Sequence, residues 1–206
     1  MKISKYMTGP LQVNTYFAYD EETNKGFIVD PGGYDSRITD EVNSLGVTLE
    51  YIILTHGHGD HIGGVEQFKV DFPDAKIIAH EAEAEMLLDA RINSSMEIFM
   101  RPITVNVDKY VRDKESLKVG NAELTFMHTP GHTKGGMCIS VGNVIFTGDT
   151  IFRFSIGRTD FYGGDFRTLI NSIKDRLFYF PDDTVLLPGH MGSSTIGEEK
   201  RGNPFV

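Results

Sequence analysis

The hydrophobic positions fall into short runs, then into a helical period, and the two regimes alternate along the chain. Lys2–Thr8 and Thr15–Tyr19 are short and rich in β-branched and aromatic residues, and they predict strands around a Gly9-Pro10 turn. Gly26–Asp30 predicts a further strand, closed by Pro31-Gly32-Gly33. Ile38, Val42 and Leu45 then recur at helical spacing, with Asp35 or Ser36 placed to cap and Gly46 placed to stop. Tyr51–Leu54 reads as a buried strand, and Ile62, Val65, Phe68 and Phe72 as a helix after it. Lys76–Ala79 predicts a strand and Glu81–Ala90 a helix, while residues 91–119 show no regular pattern.

Strands return at Glu123–His128, Met137–Val141 and Val144–Thr147, with Gly142-Asn143 as a hairpin turn. Asp165 is placed to cap a helix with Phe166, Leu169, Ile170, Ile173 and Leu177 on its apolar face, and Thr184–Leu187 predicts a last strand. The two halves are each β-rich first and helical second. That favours a layered α/β domain, sheets inside and helices outside. No repeat, low-complexity tract or linker divides the 206 residues, so one domain spanning 1–206 is expected.

Composition narrows the partners. Twenty basic against twenty-nine acidic side chains leave a net charge of -9, which argues against nucleic acid, because phosphate binding needs clustered Lys and Arg. No apolar run reaches the roughly 18 residues of a membrane span, and no signal-peptide core follows Met1. The one cysteine, Cys138, cannot form an internal disulfide. A reducing, cytoplasmic location is therefore expected. The oligomeric state is not legible.

The chemistry sits at the strand ends. Thr55-His56-Gly57-His58-Gly59-Asp60-His61 follows the strand Tyr51–Leu54 directly. Three imidazoles and a carboxylate so close together are costly to bury without partners. The two glycines between them let the backbone turn tightly enough for side chains to converge. Imidazole and carboxylate suit zinc, iron or manganese. Pro130-Gly131-His132, Gly148-Asp149 and Pro188-Gly189-His190 end three later strands in the same manner. Five His and two Asp then come from four strand ends. That is too many for one tetrahedral ion, which takes four ligands, and suits two ions that share a carboxylate.

His56-x-His58-x-Asp60-His61, with His132, Asp149 and His190 downstream, resembles the signature of the metallo-β-lactamase superfamily. The resemblance implies an αββα sandwich, with two central mixed sheets flanked by helices. It implies a first metal on His56, His58 and His132, a second on Asp60, His61 and His190, and Asp149 between them. Two Zn²⁺ are the implied cofactors, with iron or manganese accepted at either site. Asp rather than Cys at the shared position is similar to the thioester hydrolases of the superfamily. The stretches around Gly148–Phe152, Ser155–Phe161 and Thr195–Lys200 resemble the short bacterial glyoxalase II-like proteins.

The implied reaction is attack of a metal-bound hydroxide on a thioester, such as a hydroxyacyl-glutathione, with Asp60 as a catalytic residue. Arg158 and Tyr162 are the candidate substrate-binding residues. Arg158 has two readings, a partner for a substrate carboxylate or an ion pair with Asp160. A second function shares the ligand positions, an iron-dependent persulfide dioxygenase using one iron. A non-catalytic metal-binding or redox-partner domain is a third.

The remaining histidines have plainer roles. His80 is read as a helix cap or surface residue, and His128 as a core or hydrogen-bonding residue outside the ligand set. Asp30 is read as supporting a turn or a ligand. Cys138 is read as packing, and Met86, Met96, Phe99 and Met100 as packing ahead of the alternative that they line a substrate pocket.

Overall fold

Residues that alternate along each buried strand face two different cores, and this alternation sets the layers. In the computed structural model, which describes all 206 residues, β3 (Lys25–Val29) sends Phe27 and Val29 to one core and Ile28 to the other. In β4 (Thr48–Ile53), Ile53 and Ile52 divide in the same way. Both faces of these strands are covered, so they read as continuous apolar runs rather than as alternating ones.

The first sheet has the order β1-β2-β3-β4-β5-β6, adding β1 (Lys2–Thr8), β2 (Val13–Asp20), β5 (Lys76–His80) and β6 (Lys109–Val111). β1 to β3 are antiparallel, and β3 to β6 run parallel. The second sheet has the order β14-β13-β10-β9-β8-β7. Its strands are β7 (Ser116–Val119), β8 (Ala122–His128), β9 (Met137–Val141), β10 (Val144–Gly148), β13 (Val185–Pro188) and β14 (Ser194–Thr195). Between β10 and β13 a two-stranded ribbon forms, β11 (Ile151–Phe152) with β12 (Ser155–Ile156).

Seven helices complete the fold: α1 (Ser36–Ser44), α2 (Gly59–Ile62), α3 (Val65–Asp71), α4 (Ala84–Leu88), α5 (Ser95–Phe99), α6 (Phe166–Ser172) and α7 (Ile196–Gly202). Ile38, Val42, Val65 and Phe68 pack helices α1 and α3 on the first sheet, and Leu169, Ile173, Leu177 and Ile196 cover the second. Tyr16, Phe27, Phe126 and Phe146 fill the space between the sheets. The result is the expected α/β sandwich, helices outside two mixed sheets.

Several boundaries differ from the sequence pattern. The helix expected from Ile62 to Phe72 breaks at Gly63-Gly64 into α2 and α3. A Cβ on Gly63 would collide with Phe99 and Gly32, and one on Gly64 with Gly33. The helix expected at 81–90 begins as a 3-10 turn, Glu81–Glu83, and α4 ends at Leu88. Asp165 caps α6 as expected, accepting from the Thr168 N–H, but the helix passes into a π turn at Ile173–Leu177. The 91–119 stretch holds only short elements, α5, β6 and β7.

Candidate metal centre

All four ligand-bearing fragments leave strands at one end of the sandwich. His56 and His58 lie on the loop after β4, and Asp60 and His61 on α2. His132 lies on the loop between β8 and β9, Asp149 follows β10, and His190 follows β13. Residues of both sheets tie these loops together. Met137 N–H donates to the Thr55 carbonyl at 2.9 Å, joining the loop after β4 to β9. Asn14 on β2 donates through its side chain to the Pro188 and Met191 carbonyls at 2.9 and 2.8 Å, and Tyr16 OH donates to the Pro188 carbonyl at 2.8 Å. Those bonds hold the His190 segment against the first sheet.

The hydrogen bonds made by the far side of each ring decide which nitrogen is free. Thr55 Oγ1 donates to Asp30 Oδ2 at 2.6 Å, so it accepts from His56 Nδ1 at 3.1 Å. His132 Nδ1 donates to the Arg158 carbonyl at 2.6 Å. His56 and His132 thereby each present an Nε2 lone pair to the centre, a tautomer assigned from the network. His58 Nδ1 stands 2.9 Å from His132 Nε2, which stands 3.3 Å from His56 Nε2. Ligand atoms on a tetrahedral ion with bonds of about 2.0–2.1 Å stand about 3.3 Å apart.

Burial and the neighbouring imidazoles lower the pKa of His56 well below its ordinary value and push that of His58 down to about 3. These rings are neutral, and His132 Nε2 turns its lone pair toward both His56 Nε2 and His58 Nδ1; a neutral His58 meets it by donating from Nδ1, a proton that a cation would replace.

The second group is built around Asp30. Its backbone is left-handed, with φ +48°. Its carboxylate accepts the Thr55 N–H at 2.7 Å and the His61 Nδ1–H at 2.9 Å. Asp30 thus orients a ring rather than facing the cleft. His61 Nε2 points at Asp60 Oδ2 and Asp149 Oδ1, 3.7 and 3.3 Å away. Asp60 Oδ2 also lies 3.2 Å from His190 Nε2. Burial would lower the pKa of His61, but Asp149, Asp60 and Asp30 around it lift it well above the imidazole range. A cation at this point would replace that proton.

His61 Nε2 and Asp149 Oδ1 are buried without a hydrogen-bond partner, which is costly for polar atoms that have no other function. The donor sets His56/His58/His132 and Asp60/His61/His190 each bring their ligand atoms within 4.8 Å of one another. Asp149 lies between them, 3.7 Å from His132 Nε2 through Oδ2 and 3.3 Å from His61 Nε2 through Oδ1. The residues present therefore fit divalent cations.

A cleft of about 410 Å³ opens onto these side chains, walled by Leu11, Ile98, Phe152, Phe161 and Met191. Arg158 lines it too, but its guanidinium is bound to Asp160 at 2.9 and 2.7 Å and lies 4.2 Å over the Phe161 ring. Tyr162 is not among the lining residues. Its hydroxyl donates to Glu85 at 2.8 Å and accepts from Lys134 at 2.9 Å.

His80 caps the 3-10 turn by accepting the Ala82 N–H. His128 donates from Nε2 to the Lys134 carbonyl at 2.9 Å. Asn14, Tyr16 and Glu83 support the centre without a sequence signal of their own, except that Asn14 is a polar residue inside an otherwise apolar strand run.

The sequence profile of the metallo-beta-lactamase superfamily matches residues 8–190. Hydroxyacylglutathione hydrolase GloC of Haemophilus influenzae is 37% identical, over 95% of this chain and 93% of its own. Among solved structures, the BLEG-1 B3 metallo-beta-lactamase superposes with a TM-score of 0.92 at 34% identity, covering 99% of both chains. TTHA1623, solved in a di-iron-bound form, superposes at 0.85 with 28% identity, covering 98% of this chain and 100% of its own.

Proposed function

The chain belongs to the metallo-β-lactamase superfamily, and from that premise we propose that it is a dinuclear metal-dependent hydrolase of one domain that cleaves a thioester such as a hydroxyacyl-glutathione. The observation that carries the reading is the meeting of ring nitrogens from three histidines, His132 Nε2 standing 2.9 Å from His58 Nδ1 and 3.3 Å from His56 Nε2, beside the unpartnered His61 Nε2 and Asp149 Oδ1. We assign the first ion to His56, His58 and His132, the second to Asp60, His61 and His190, and Asp149 to both. Zinc is the first expectation, and the di-iron form of TTHA1623 keeps iron in view.

Divalent ions in these positions would acidify a water and polarise a carbonyl oxygen. The chain's own residues do the rest. Asp30 and the Arg158 carbonyl hold the His61 and His132 rings in one orientation. Asp60 lines the cleft, and His61 and His190 lower its pKa although burial opposes them. It is ionised at neutral pH, and its Oδ2 faces His190 and His61 in the second donor set, which is the catalytic part we give it. Phe152, Phe161, Leu11 and Met191 exclude water from the bound acyl group. Arg158 is the cation offered to an anionic substrate group. Tyr162 braces the same loop through Glu85 and Lys134, which is how we read its part in substrate binding. A cytoplasmic location completes the proposal, supported by the single, buried cysteine.

The test is metal content of protein purified without added metal, followed by assays on S-lactoylglutathione, on glutathione persulfide with oxygen uptake, and on a β-lactam. Thioester turnover that tracks two metal equivalents supports the proposal. Oxygen uptake with one iron would transfer the chain to the dioxygenase reading. β-Lactam turnover without thioesterase activity would make it a β-lactamase and overturn the thioester assignment.

A further inference from the structure

Glu83 is a buried acid that joins neither donor set and does not line the cleft. It closes the 3-10 turn after β5, only 1% exposed. Its Oε1 accepts the Gly57 N–H at 2.8 Å. Its Oε2 accepts the Gly135 N–H at 2.7 Å and the Thr133 hydroxyl at 3.0 Å. Gly57 stands between His56 and His58, and Thr133 and Gly135 follow His132. One carboxylate therefore joins a loop of the first sheet to a loop of the second. Across that joint His58 Nδ1 and His132 Nε2 meet at 2.9 Å.

The contact is built closely. A Cβ added to Gly135 would lie 2.6 Å from Glu83 Oε2, so only glycine lets the backbone approach this acid. No cation neutralises it directly, because the Lys134 ammonium is bound to Glu85 and Tyr162, each at 2.9 Å. An unpaired buried carboxylate is expensive. Its advantage here is that both of its oxygens accept, whereas a carboxamide of the same shape offers one acceptor and an NH₂ that would face donors.

We propose that Glu83 is a positioning residue that fixes the distance between the His56-Gly57-His58 loop and His132, and so sets the affinity of the first metal position without touching metal or substrate. The inference rests on the metal reading above.

The experiment compares full-length wild type with Glu83→Gln, titrating Zn²⁺ against a chromophoric chelator. Co²⁺ absorption and thermal unfolding of the metal-free proteins are recorded alongside. Glu83→Gln is expected to weaken one of two bound ions by about 10–100-fold, to change the Co²⁺ spectrum of that ion, and to leave the other ion at wild-type affinity. Thr133→Val removes one donor and keeps the charge, and it should weaken the same ion severalfold. It also serves if Glu83→Gln does not fold.

Two ions bound with wild-type affinities and spectra in the variants would overturn the proposal. So would equal weakening of both ions, which is what a merely structural role gives. Wild-type protein that binds no divalent ion would instead fail the metal reading itself, independently of Glu83.

Discussion

His80 and His128 stack face to face, ring centroids 4.0 Å apart and planes within 10°, where the ends of β5 and β8 meet. Burial first, and the neighbouring imidazole second, push the pKa of His80 down from 6.5 to about 4, against the opposing pull of Glu81 and Asp113. A proton on His80 would end its role as acceptor for the Ala82 N–H.

The sign follows from linkage. Below pH 6.5 the unfolded chain takes up a proton on His80, while the folded chain does so only near pH 4. The contribution of His80 is therefore whole above pH 6.5 and is lost as pH falls from 6.5 toward 4, by about 1.4 kcal/mol per unit at most. His80→Asn keeps an acceptor at the cap and removes the titration. Metal-free His80→Asn should lose about 1–2 kcal/mol less than wild type between pH 7 and pH 5 in urea unfolding. Equal acid losses in the two proteins would rule this out.

Removing divalent ions should cost stability as well as activity, because the nitrogens of His56, His58 and His132 come together only in the folded chain, so an ion bound there stabilises the folded state. An ion present at about a thousandfold over its Kd contributes about 4 kcal/mol. For a chain of this size each kcal/mol is worth about 2–4 °C in Tm. Loss of one such ion is expected to lower Tm by about 8–16 °C and loss of both by about twice that, with recovery on adding back Zn²⁺. An unchanged Tm after verified metal removal would contradict the assigned ligands.

The layers and the converging fragments were legible because both rest on local signals. Ile52 and Ile53 lie in an apolar run that only a doubly covered strand needs, and His56, His58, Asp60 and His61 crowd one turn. What was not legible depends on contacts between distant segments. Glu83 sits in the run Glu81-Ala82-Glu83-Ala84-Glu85, where nothing marks the middle acid as the buried one. The break at Gly63-Gly64 is dictated by Phe99, Gly32 and Gly33, all remote in sequence. Helix α7 is a different case. Thr195 and Glu198 form a capping box that the sequence displays, although no helix was expected there. Arg158 shows a third situation: both of its readings fit the sequence, and the ion pair with Asp160 appears only in three dimensions.

Gly131 precedes His132 with φ +127°, and a Cβ there would run into the backbone of Leu169 in α6. Backbone cannot swing aside as a long side chain can. Gly131→Ala should therefore destabilise by about 3 kcal/mol or more and move His132 off the centre. Gly142 also has positive φ, +55°, but open space around it. Gly142→Ala should cost only about 1 kcal/mol and leave metal content unchanged. Denaturant unfolding of both variants, with metal analysis, checks the contrast, and similar losses at the two glycines would contradict it.

Asp160 holds the only cation among the residues that line the cleft, so it competes with any anionic group of the substrate for Arg158. The pair is exposed, 65% and 64% at the two side chains, and solvent screening keeps such pairs weak. Freeing the guanidinium can therefore shift substrate affinity by no more than about fivefold. Asp160→Asn should lower KM for S-lactoylglutathione within that range at unchanged kcat, since the interaction is made equally in ground and transition states. Arg158→Ala should raise KM for the same substrate, again with little change in kcat. Neither change should appear with a thioester whose thiol carries no charge. Equal effects on charged and uncharged thioesters would show that the two residues act through the loop that carries the His132 acceptor, the Arg158 carbonyl, rather than through charge.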